Sequence, residues 1–231
     1  MAKDLRNCSL NGSTTNVTKR MSNGKVSLKC KNSYVSIAEA YYDKLQRLYA
    51  TNCKNEGQGQ ALDQHLFSML QRYEMVFGEK TSSGLHAALP HSLFEFLNQQ
   101  LGVDFECFAS PLNCFFSRYC SAFQDTDSCF GSCGSFFTIE PTTGSFEANP
   151  PFVECIMKKM ADHMIMLLQK TKESAEPLSF LVFVPNWEDA ASIQTLCGSS
   201  FKRADFIVDA YKHKYIAGNQ HSAAHPISYS A

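Results

Sequence analysis

A chain of 231 residues with 44% hydrophobic and 12% aromatic content can bury one sizeable core and falls in the globular range. Its formal net charge of -1 excludes a protein held on nucleic acid mainly by bulk electrostatics, because phosphate contacts need clustered Lys and Arg. No amino-terminal stretch resembles a signal peptide and no apolar run is long enough for a bilayer, so a nuclear or cytosolic protein with no membrane contact is expected, its ten cysteines free thiols.

Residues 1–33 mix Asn, Ser, Thr, Gly and Lys with few large apolar side chains, which predicts a disordered leader. From Val35, the positions Ile37, Ala38, Tyr41, Tyr42, Leu45, Leu48 and Tyr49 recur at helical spacing, and the Gly- and Gln-containing stretch 55–60 ends that helix. Leu62, Leu66, Met69, Leu70, Tyr73, Val76 and Phe77 line a second helix, with Gly78 placed to stop it. A third, from about His91 to Leu101, presents Leu93, Phe94, Leu97 and Leu101. Residues 34–102 are therefore expected to form a helical segment that covers a sheet.

The sheet is expected within a core spanning 103–221. Val103–Ala109 reads as a strand that enters the polar turn Ser110-Pro111-Leu112-Asn113. Ser145-Phe146-Glu147-Ala148 precedes Asn149-Pro150-Pro151-Phe152, after which Val153, Ile156, Met157, Met160, Met164, Leu167 and Leu168 mark the core stripe of a helix. Leu178–Pro185 is a nearly continuous apolar run, as in a strand buried on both faces of a parallel sheet. Phe206-Ile207-Val208 is the last expected sheet element, and 222–231 an irregular tail. Strand, turn, strand, loop, helix, strand is a doubly wound α/β order, and such sheets bind ligands at the carboxyl ends of their strands.

Asn149-Pro150-Pro151-Phe152 carries the chemistry. Methylating an exocyclic amine needs acceptors for the amino hydrogens, a flat surface for the base and a cradle for a sulfonium donor. The Asn149 amide oxygen and the Pro150 carbonyl supply acceptors that turn the nitrogen lone pair toward the methyl group. Phe152 supplies the flat surface, and two prolines without N–H donors hold the loop open. Ser110 and Asn113 are candidate donor contacts. Asp125 and Asp127 are candidates for ribose hydroxyls, with solvated loop aspartates an alternative of at least equal weight.

The stretches Phe105–Cys114 and Gly144–Phe152, with Arg72–Gly78, Tyr119–Phe123, Pro177–Phe180 and Ser200–Arg203, closely resemble the phosphorylated CTD-interacting factor family of cap-specific adenosine N6-methyltransferases. The likeness covers roughly 35–221. It implies a Rossmann-like S-adenosylmethionine-dependent methyltransferase sheet, incomplete here and preceded by covering helices. The implied reaction is methyl transfer from S-adenosyl-L-methionine to N6 of the 2′-O-methyladenosine beside the 7-methylguanosine cap of mRNA, in the nucleus. Carried over, Asn149, Pro150, Pro151 and Phe152 are catalytic and bind the adenine. Ser110, Pro111, Asn113 and Glu154 bind the cofactor. Glu154 also contacts substrate, and Pro185, Asn186, Trp187 and Glu188 lie beside the capped RNA. The family's catalytic proteins bind the RNA polymerase II C-terminal domain through a WW domain that nothing here matches, Trp187 being the single tryptophan. A large upstream helical domain and the final strands of the sheet are also expected to be missing. The alternative this suggests is a shortened, inactive relative that binds RNA, donor or a protein.

Other signals are weaker. Lys29/Lys31, Lys202/Arg203 and Lys212/Lys214 are candidate RNA contacts or, more simply, solvated faces. Cys129 and Cys133 lack a second pair at zinc spacing, so no metal is expected. The Asn-X-Ser/Thr triplets at Asn7, Asn11 and Asn16 carry no weight without a secretory signal.

Overall fold

The structure is a computed structural model that describes residues 16–53, 60–77, 88–209, 212–216 and 228–230. Its first unit corrects the expectation of a disordered leader, of which only 1–15 lies outside the described residues. β1 (Thr18–Ser22), β2 (Lys25–Cys30) and β3 (Ser33–Ala38) form an antiparallel sheet in that order. Asn23 and Gly24, at φ 52° and 70°, make the two-residue turn between β1 and β2. Positive φ at both central positions suits the right-handed strand twist, and Asn-Gly reaches it at least cost. Val26, Leu28, Val35 and Ile37 alternate onto one buried face.

That face packs on α1 (Glu39–Asn52) and α2 (Gln60–Phe77). The expected first helix thus starts later than its pattern: Val35 and Ile37 belong to a period of two in β3, and Glu39 N–H closes the helix start on Gly24 O at 2.8 Å. α1 contributes Tyr42, Leu45 and Tyr49, at i, i+3 and i+7. α2 contributes Leu62, Leu66, Met69 and Leu70. Each such side chain removed from water contributes roughly 1.5–3 kcal/mol against the ordering entropy. Gly78, the expected stop, lies outside the described residues. α3 (His91–Leu101) has the expected bounds, ended by Gly102 at φ 65°.

β4 (Val103–Glu106), β5 (Gly144–Ala148) and β6 (Leu178–Val182) form a three-stranded parallel sheet with β5 in the centre. Beyond β4, single parallel bridges join Glu106 to Tyr119 and Tyr119 to Ser132. One row therefore runs Ser132, Tyr119, Glu106, Glu147, Leu181. The chain moves outward from β4 through Tyr119 to Ser132, makes the short α4 (Gln124–Asp127) on the way, and returns to β5 on the other side of β4. The order reverses between β4 and β5.

α5 (Glu154–Lys170) lays Met157, Met160, Met164 and Leu167 inward, and the last three share a cluster with Phe105, Phe146 and Ala148. α6 (Ala191–Cys197) packs beside it. Three expectations need correction. β6 is half-exposed rather than buried on both faces, because among the described residues it pairs only with β5. Phe206, Ile207 and Val208 form no strand and are 88%, 67% and 56% exposed, since no edge among the described residues pairs with them. The tail is not irregular throughout: β8 (Ser228–Ser230) pairs antiparallel with β7 (Lys214–Ile216). Among the described residues no helix is long and apolar enough to cross a membrane.

Candidate active site

Parallel strands send their carboxyl ends to one edge, and β4 and β5 both end in loops named from sequence. Cys107 N–H donates to Glu147 O at 2.8 Å, so the strands stay paired to the point where the loops diverge. Phe183 N–H donates to Ala148 O at 2.9 Å and brings β6 to the same edge. The turn 110–113 and the loop 149–152 therefore follow the two strands between which the order reverses, and the segment 185–188 follows β6 on the far side of β5.

The β4 turn is built by its own polar residues. Ser110 N–H and Oγ–H both donate to Asn113 Oδ1, at 2.7 and 2.9 Å, and Cys114 N–H closes onto Ser110 O at 2.9 Å. Ser110 and Pro111 are buried, so the candidate donor contacts shape the turn first and offer only the remaining Asn113 edge outward. In the β5 loop Pro150 is buried and Asn149 half-buried, its Oδ1 shielded from solvent. Val153 N–H donates to Pro151 O at 2.7 Å, a tight reversal that throws Phe152 to the side. Phe152 meets Tyr215 edge-on at 6.0 Å and joins Leu89, Phe94, Phe115, Phe116 and Phe183 in an aromatic-rich cluster.

Two site residues were not found from sequence. Phe105, Phe146 and Ala148 point to α5, so strand alternation puts Glu106 and Glu147 on the opposite face, with Asn149 following Glu147 at the same phase. Glu106 Oε1 accepts Phe115 N–H and Phe116 N–H at 2.8 and 2.9 Å. Burial pushes its carboxyl up to about 7, against the pull of those amides and of Lys44. Glu147 is 1% exposed, and its Oε1 has no hydrogen-bond partner. Burial first, and the neighbouring Glu106 second, push its carboxyl well above the usual range. An acid in each of two apolar strand patterns, Val-Asp-Phe-Glu-Cys-Phe and Ser-Phe-Glu-Ala, was the available signal.

Other candidates fall elsewhere. Glu154 accepts Ser192 N–H at 2.9 Å and Ser192 Oγ–H at 2.6 Å, so both carboxylate oxygens are committed to the start of α6 rather than to the loop 149–152. These bonds hold its carboxyl below the usual range. Trp187 is 44% exposed at a turn closed by Ala190 N–H on Trp187 O, and Asn186 donates to Glu188 at 3.3 Å. Asp127 is fully buried and accepts Tyr73 Oη–H at 2.7 Å, and Asp125 pairs with Arg72 at 2.9 Å. Lys202 and Lys212 pair with Asp205 and Asp209. The nine described cysteines are free thiols, and no group of His, Cys, Asp or Glu suited to a metal occurs among the described residues.

The architecture is thus that of an α/β protein with polar loops gathered at the carboxyl edge of a parallel sheet. A family model described as "Phosphorylated CTD interacting factor 1 WW domain" matches residues 44–218, and the chain belongs to this family. The matched residues form helices and parallel strands with one tryptophan, so the WW label does not describe their fold. Two relatives carry the name mRNA (2'-O-methyladenosine-N(6)-)-methyltransferase. That of Mus musculus is 41% identical over 209 residues, 89% of this chain and 29% of the relative. That of Homo sapiens is 42% identical over the same shares. The chain spans 29% of the length of these relatives.

Proposed function

We propose that this chain carries a Rossmann-like, S-adenosylmethionine-dependent methyl-transfer site for N6 of the 2′-O-methyladenosine beside the 7-methylguanosine cap of nuclear mRNA. The observation that carries the reading is the position of Asn149-Pro150-Pro151-Phe152. It leaves the central parallel strand at its carboxyl end, beside the point where strand order reverses, which is where open α/β sheets take their ligands. The names of the relatives supply the acceptor. Association with the RNA polymerase II C-terminal domain, suggested by the family's name, belongs to the same reading.

S-adenosylmethionine supplies an electrophilic methyl group on a sulfonium centre. The residues present suit a cationic donor: two buried carboxyl groups meet at the strand ends, and Glu147 Oε1 is an acceptor that the protein leaves unsatisfied. Glu106 and Glu147 would hold the donor from the sheet side, with the Ser110–Asn113 turn shaping the adjoining wall. Asn149 and the Pro150 carbonyl accept the amino hydrogens and aim the lone pair. Phe152 stacks on the adenine, steadied by its edge contact with Tyr215. Orientation in a water-poor pocket carries much of the rate, and the amine loses its proton after transfer without a dedicated base.

Calorimetric titration with S-adenosylmethionine tests the donor half. Saturable binding that tightens as pH rises is expected, because a cationic donor favours the ionised form of the raised Glu147 carboxyl, and Glu147→Gln should reduce that pH dependence. Absence of binding by folded protein contradicts the reading. Binding without turnover on capped RNA favours a donor- or RNA-binding relative instead.

A further inference from the structure

Most paired cations of the described surface are neutralised by a carboxylate close in space, as in Lys158–Asp162, Lys170–Glu140 and Lys202–Asp205. Lys44 and Arg47 have no such partner among the described residues, and they sit one turn apart on one face of α1. They line a groove of about 180 Å³ whose other wall is the segment from Cys114 to Ser117. The Lys44 ammonium is held there by a 2.7 Å bond to Cys114 O, while Arg47 is exposed.

The groove is tied to the candidate active site through its aromatic wall. Glu106 holds the amides of Phe115 and Phe116. Phe115 stacks on Phe94 at 5.1 Å, and both phenylalanines belong to the cluster that contains Phe152. Sites that enclose a whole small molecule run to roughly 300 Å³ or more, so this smaller, open groove suits a passing segment of polyanion rather than an enclosed nucleotide.

We propose that the Lys44–Arg47 groove binds a phosphodiester of the RNA substrate close to the acceptor nucleotide, with Phe115 and Phe116 linking the phosphate position to that of Phe152. The proposal rests on the RNA-methyltransferase reading and specifies how a chain of net charge -1 holds its polyanion: by a local pair of cations without a salt-bridge partner among the described residues.

Fluorescence anisotropy of a short capped RNA on the full chain, across a salt series, tests it. Each phosphate neutralised contributes roughly 0.7 to the slope of log K against log salt on single strands, so Lys44→Ala/Arg47→Ala, which leaves the one phosphodiester unneutralised, should lose about 0.7 and Arg47→Ala part of that, with about ten-fold weaker binding at low salt in the double variant. Arg47→Lys should restore the slope, and Lys170→Ala, at the end of α5 and paired with Glu140, should leave it unchanged. The exposed Arg47 keeps the test independent of folding. An unchanged slope and affinity in the double variant overturns the groove, and if wild-type protein still methylates that RNA, the functional reading survives. Folded wild-type protein that neither binds nor methylates RNA overturns both. Binding of a phosphorylated peptide in place of RNA overturns the groove as an RNA site.

Discussion

Glu106 and Glu147 stand in facing register on adjacent parallel strands, and both are buried, at 3% and 1% exposure. The two acids differ in support: Glu106 accepts two backbone N–H groups, whereas Glu147 Oε1 accepts none. Two neighbouring carboxyl groups out of water resist joint ionisation, so protons are retained at pH values where solvated acids have lost them.

This arrangement makes stability fall as pH rises. Glu106 is pushed up to about 7 and Glu147 is also raised, so the folded chain binds more protons than the unfolded chain above the ordinary carboxyl range. The contribution is fully present below about 4.3, the unfolded glutamate value, and is lost as pH rises through about 7. Thermal melts from pH 5 to 8 should show a declining midpoint. Glu147→Gln, which keeps shape and cannot ionise, should flatten the decline; superimposable slopes in variant and wild type would refute the assignment.

Phe152 is half-buried and in T-shaped contact with Tyr215. Stacking on a base is worth roughly 1–3 kcal/mol, so Phe152→Leu should reduce transfer about ten- to hundred-fold with a native-like melting curve. Retention of full activity by Phe152→Leu would remove the ring from the mechanism.

Glu154 and Ser192 act as one unit joining the starts of α5 and α6. If Glu154 positions α6, Ser192→Ala and Glu154→Gln should lower the melting temperature non-additively and leave affinity for S-adenosylmethionine alike in both. Donor affinity lost in the Glu154 variant alone would restore it as a ligand contact.

Gly24 sits at φ 70° with nothing within 4 Å of an added Cβ, so substitution there meets only the backbone cost. Gly24→Ala should destabilise by about 1 kcal/mol, read by chemical denaturation. No change would mean that the β1–β2 hairpin contributes nothing to the cooperative unit.

Helices α2 and α3 were legible because long apolar stripes at helical spacing leave little choice. The parallel strands were legible as apolar runs, and the loop 149–152 as the Pro-rich segment between β5 and α5. The amino-terminal sheet was missed because its polar faces dominate composition, although Asn23-Gly24 ahead of alternating Val26, Leu28 and Cys30 held the signal. Phe206–Val208 has strand propensity and, among the described residues, no partner to realise it, since pairing is a tertiary property. The acid pair escaped notice because register, not sequence spacing, brings positions 106 and 147 together.

The central claim is tested most directly by transfer of labelled methyl from S-adenosylmethionine to short RNAs beginning with capped 2′-O-methyladenosine, capped 2′-O-methylguanosine or uncapped adenosine. Asn149→Ala serves as the control, because one half-buried loop amide contributes little to the core. The account predicts label only on the capped adenosine RNA, and none with Asn149→Ala despite a native fold. Absence of transfer from folded wild-type protein, or undiminished transfer by Asn149→Ala, would contradict it.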